Sequence, residues 1–122
     1  MKSIKLLVFL FVLHSHVATS QVTDKELQSP ETISFITDMV KDESVVFGKV
    51  SKSNDGWSIE ASTDKKVVSF MFADEIYKSQ QTDLKVGLEK IIAFLISHGE
   101  SCYEYVLSKE NQKWDFFLYR CN

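Results

Sequence analysis

The chain has 122 residues with 14 basic and 17 acidic side chains, a formal net charge of −3, and only four Gly and one Pro. A mildly acidic balance without a basic run gives no electrostatic reason to seek nucleic acid or an anionic membrane. The scarcity of Gly and Pro, with no repeat or low-complexity tract, leaves no candidate linker and favours one compact domain.

Lys2 and Lys5 open the chain, and an unbroken apolar run of eight residues follows from Leu6 to Leu13. A membrane-crossing helix needs about 20 such residues, so no span is expected. Ala18 and Ser20 then stand at the −3 and −1 positions of a cut before Gln21. Basic, apolar and small in that order is the pattern of a secretory signal peptide. Residues 1–20 are therefore read as a leader and 21–122 as a single exported domain, extracellular or, in a bacterium, periplasmic. Removing 20 of the 122 residues leaves 102, with 12 basic and 17 acidic groups and a net charge of −5. That length suffices for one hydrophobic core. The polar stretch at 21–28 is expected to fray beside the new terminus.

Ser29-Pro30-Glu31 starts a helix, with Ser as cap, Pro at the first helical position and Glu on the positive end of the dipole. Ile33, Ile36 and Val40 continue it at helical spacing to about Lys41, with an apolar stripe suited to packing on a sheet. From Ser44 the period changes to that of strands. Three runs rich in β-branched and aromatic residues, at 44–52, 57–63 and 65–73, are separated by turn residues such as Asn54-Asp55-Gly56. They are expected to form a meander. The stretch from Asp74 to Gln81 reads as a short helical turn or a loop. A second helix begins near Thr82-Asp83, carries Leu84, Leu88, Ile91, Ile92 and Leu95 on one stripe, and ends at His98-Gly99. Gly87 interrupts this stripe at a cost of about 1 kcal/mol relative to Ala, which is expected to permit close approach to a neighbouring strand.

The tail is the most determined local structure. Two aromatic-rich runs flank Lys109-Glu110-Asn111-Gln112, and a hairpin centred between Asn111 and Gln112 pairs residues whose numbers sum to 223. Cys102 and Cys121, the chain's only cysteines, satisfy that sum. The turn and the cysteines thus point independently to one cross-strand disulfide. The resulting fold class is α+β: an antiparallel sheet of about five strands packed against two helices, in the order α-β-β-β-α-β-β.

Motifs for chemistry are missing. His98 is the one histidine beyond the leader, so nucleophile–base arrangements and zinc sites lack their parts, and no cofactor is expected. Asp74, Glu75, Asp42, Glu43 and Glu104 are the carboxylates from which an acid/base pair would have to come. The aromatic load of the tail is the remaining signal, because rigid aromatics dominate interfaces. In the hairpin register Tyr103, Tyr105, Trp114 and Arg120 share a face, and Tyr103 lies opposite Arg120. These four are the candidate interface. The expected function is a secreted, non-enzymatic binding or effector protein acting on an extracellular protein. The alternatives are a secreted inhibitor of a hydrolase, a carrier of small apolar ligands and a small carboxylate-dependent hydrolase.

Overall fold

The structure is a computed structural model that describes residues 11–12, 17–18, 21–63 and 74–121. The expected strand at 65–73 and most of the expected leader at 1–20 lie outside the described residues. Within residues 1–20, Phe11–Val12 and Val17–Ala18 form a two-residue antiparallel ladder. The main elements follow as α1 (Asp24–Leu27), α2 (Pro30–Val40), β1 (Val45–Ser53), β2 (Gly56–Ser62), β3 (Glu75–Gln81), α3 (Leu84–His98), β4 (Cys102–Glu110) and β5 (Lys113–Arg120). They build one five-stranded sheet in the order β2-β1-β4-β5-β3, antiparallel throughout. The α+β class is as expected, but the element order is not quite: a short helix precedes α2, and a strand occupies 75–81.

The residues at 21–28 are ordered, which corrects the expectation of fraying. Val22 and Trp57 exchange both backbone hydrogen bonds, at 2.9 and 2.7 Å. Thr23 caps α1 reciprocally with Glu26: the Glu26 N–H donates to Thr23 Oγ1 at 3.1 Å, and the Thr23 N–H donates to Glu26 Oε1 at 2.9 Å. Leu27 is wholly buried. One buried Leu and a capping box suffice to hold a four-residue helix that would not persist alone. Gly56, at φ +127°, faces the Val22 backbone at a distance that leaves no room for a Cβ, so this docking depends on Gly at the turn.

The helices form as their sequences dictate. The Ser29 hydroxyl accepts from the Thr32 N–H at 3.2 Å with Pro30 at the first turn. Asp83 caps α3, and Gly99 ends it in the left-handed conformation at φ 81°. Ile33, Ile36 and Val40 of α2 and the leucine–isoleucine stripe of α3 are buried against one face of the sheet. The ring of Phe116 on β5 fills the space above Gly87, so this glycine sets the approach of helix and strand.

The tail hairpin has the expected register along its whole length, from Tyr103 opposite Arg120 to Glu110 opposite Lys113. Asn111 and Gln112 turn with φ of 54° and 64°, matching the twist of the ribbon. Cys102 and Cys121 are disulfide-bonded, with Cα atoms 5.5 Å apart. The ribbon is therefore closed at both ends, by the turn and by the sulfurs.

The strand β3 replaces the expected turn or loop at 74–81. EIYKSQQ has neither strict alternation nor a β-branched run, and its strand conformation comes from pairing with β5. Register shifts between Glu75 and Tyr77 at a bulge, a common device at a sheet edge.

Candidate functional site

Side chains alternate between two faces of the sheet, and the register assigns each candidate residue to one of them. The face under the helices carries Trp57, Ile59 and Ala61 of β2, Val46 and Val50 of β1, Tyr103, Tyr105 and Leu107 of β4, and Trp114, Phe116 and Leu118 of β5, all buried. Three of the four expected interface residues are therefore core. Tyr103 is 0%, Tyr105 6% and Trp114 4% exposed. The reason is the hairpin's place in the sheet: β4 and β5 are interior strands, and α3 covers the face that carries these rings.

The buried hydroxyls are accommodated individually. Tyr105 donates to the Glu60 carbonyl at 2.8 Å, and Tyr103 accepts from the Glu100 N–H at 3.1 Å. Burial pushes the ionisation of both phenols above the ordinary tyrosine value and keeps both protonated. Gly48 lies where a Cβ would overlap the Tyr105 hydroxyl and the Glu60 carbonyl.

Arg120 alone of the four reaches solvent. It leaves the core row beyond the end of α3, with its side chain 44% exposed. Its Nε donates to both Glu100 oxygens at 3.0 and 3.1 Å, Nη2 to Glu100 Oε2 at 2.9 Å, and Nη1 to Asp74 Oδ2 at 3.3 Å. These hydrogen bonds hold the Glu100 carboxyl below its ordinary value and raise the guanidinium above its own. Arg120 thus ties the loop after α3 to the start of β3.

The opposite face carries none of the described helices. Across the strands in the order β2, β1, β4, β5 and β3, one row reads Glu60, Lys49, Glu104, Tyr119 and Glu75. The next reads Ser62, Phe47, Val106, Phe117 and Lys78. Val45, Phe47, Val106, Phe117 and Tyr119 are half-buried on this face, Glu104 and Ser62 among them are buried, and Lys49, Glu60, Glu75 and Lys78 are exposed. The Phe117 and Tyr119 rings stack with centroids 6.4 Å apart, and the Lys78 ammonium lies 5.8 Å from the Phe117 ring. Burial, and then the nearby Glu75 carboxylate, raise the Tyr119 phenol above its ordinary ionisation. The signal that would have found this face was the covering of the other one, which depends on strand order.

Glu104 and Glu75 flank Tyr119 from two different neighbouring strands, so they stand two strand spacings apart, about 10 Å. Asp74 is engaged by Arg120. His98 is exposed and stacks on Phe94 with ring centroids 4.2 Å apart. Among the described residues, no group of three or more His, Cys, Asp or Glu is placed to hold a metal, and no helix is long and apolar enough to cross a membrane.

Between α2, α3 and the sheet lies an apolar cavity of about 50 Å³ lined by residues including Ile36, Val40, Val50, Ile91, Tyr105 and Leu118. A dry cavity of about 150 Å³ accommodates benzene, and binding pockets for drug-sized molecules run to about 300–1,000 Å³. A carrier of lipids or comparable apolar ligands would need its core to open considerably.

Comparison with family models, with characterised proteins and with solved structures returns no match to this chain.

Proposed function

We propose that this chain is exported by its N-terminal leader and acts outside the cell as a non-enzymatic binding protein, with the face of the sheet opposite α2 and α3 as its contact surface. The observation that carries the reading is the set of half-buried apolar residues on that face, Val45, Phe47, Val106, Phe117 and Tyr119, which surround the buried Glu104 and are bordered by the exposed Lys49, Lys78, Glu60 and Glu75. Aromatic and aliphatic residues inside a charged rim are the usual composition of a recognition patch. Charges of both signs suit a protein partner with its own mixed rim better than a polyanion. The disulfide supports an oxidising compartment, where such bonds persist.

The test compares the parent with Val106→Ser and Phe117→Ser as bait in the extracellular fluid of the producing organism, with melting temperature followed in parallel. A partner retained by the parent and lost by either variant at unchanged fold supports this face as the contact surface. Equal retention by all three assigns binding elsewhere, and a variant that unfolds marks its residue as core. Export is tested separately, by finding the processed chain outside the cell.

A further inference from the structure

We propose that Gln21 is a modification site: once it is the first residue of the exported chain, it closes into a pyroglutamate. The inference rests on export and on cleavage before Gln21, the position at which Ala18 and Ser20 occupy −3 and −1. The structure adds the geometry of the new terminus. Val22 spends both its N–H and its carbonyl on Trp57. Adjacent residues of an antiparallel strand point their backbone groups in opposite directions, so the Gln21 nitrogen points away from β2 and no ladder bond is lost when it reacts. Gln21 is exposed, and its side-chain amide lies at the rim of the sheet between two serine hydroxyls. Nε2 donates to Ser58 Oγ at 2.6 Å, and Ser53 Oγ donates to Oε1 at 3.4 Å.

Ring closure needs no co-reactant. The neutral α-amine attacks the side-chain Cδ, a bond forms between that nitrogen and Cδ, and the Cδ–Nε2 bond breaks. Nε2 departs as ammonia, taking a proton from the attacking nitrogen, and nothing is oxidised or reduced. The product is a five-membered lactam that retains Oε1 as its carbonyl and loses the Nε2 hydrogen bond to Ser58. One positive charge disappears from the sheet edge. The terminus, held by the Val22–Trp57 pair, then offers no free amine to an aminopeptidase.

The test is the intact mass and N-terminal peptide mass of the full chain secreted by a eukaryotic host, beside a Gln21→Ala variant. The expected result is a chain beginning at residue 21, lighter by one ammonia than its open form and resistant to aminopeptidase. The variant, cleaved at the same bond, has an open terminus that the enzyme trims. A secreted chain that begins with an open Gln21 overturns the modification and leaves export intact. A retained leader, or a cut at another bond, overturns the modification together with the processing on which it rests.

Discussion

Gly87→Ala isolates one contact between helix and sheet. In α3 this exchange should favour the helix by about 1 kcal/mol, because Ala loses less backbone freedom than Gly. The position is buried, however, and the new Cβ would occupy the space of the Phe116 ring. That ring is 0% exposed and sits on an interior strand, so relief requires α3 to lift away from β5. Overpacking of this kind costs about 1–3 kcal/mol, and an overlap with a fixed ring belongs at the upper end. The expected net loss is about 2 kcal/mol, which for a domain of this size lowers the melting temperature by about 8–16 °C. Urea unfolding followed by circular dichroism measures it, with an unchanged m-value showing that the same structure is being unfolded. Phe116→Leu in the same background should recover part of the loss, with a coupling of at least about 0.5 kcal/mol. A Gly87→Ala protein as stable as the parent, or more so, would refute the seating of Phe116 against this turn of the helix.

Replacing Cys102 and Cys121 together by Ser should cost about 3 kcal/mol, the loop-closure value for a separation of 19 residues, read as a lower denaturation midpoint; a change below about 0.5 kcal/mol would mean that the turn alone holds the ribbon. Arg120→Gln should act mainly at neutral pH. Because Arg120 depresses the Glu100 carboxyl, its stabilisation is present above the carboxyl's ordinary value and is lost as pH falls through the lowered one. The melting temperatures of parent and variant should therefore converge in acid, and a gap that persists to low pH refutes the pairing. Trp114→Ala should cost about 3–5 kcal/mol, as for any large core ring, whereas a proteolysis-resistant Trp114→Ala protein with the parent's melting temperature would restore this residue to the surface.

The elements that were legible in the sequence are those whose signals are local. Ser29-Pro30, Asp83 and Gly99 mark helix ends through hydrogen bonds made within a few residues, and the structure uses each of them. The hairpin register followed from a two-residue turn and was tied to the cysteines by arithmetic, so two local facts constrained each other. The losses occurred where a distant partner decides. β3 is a strand because β5 offers it an edge, which nothing in EIYKSQQ announces. Residues 21–28 are polar, yet Trp57 anchors them from more than 30 positions away. The choice of face for Tyr103, Tyr105 and Trp114 was beyond reach for a related reason. Both faces of the ribbon carry aromatics, and only the position of α3 over the assembled sheet decides which set is covered.

The strand order has a bearing on how the molecule comes together. Its final two strands lie inside the sheet, between β1 on one side and β3 on the other. Synthesis releases residues in chain order, so β1 and β2 can close as a hairpin early, while β3 emerges before its neighbour in the sheet, β5, exists. Only when residues 102–120 are released can the two halves be joined, and that hairpin then acts as the keystone of the sheet. Contacts made so late and across such separations slow assembly, and until then two strand edges stand open to other chains. The bond between Cys102 and Cys121 lies within the element that arrives last, so oxidation can lock the ribbon only at the step that completes the sheet.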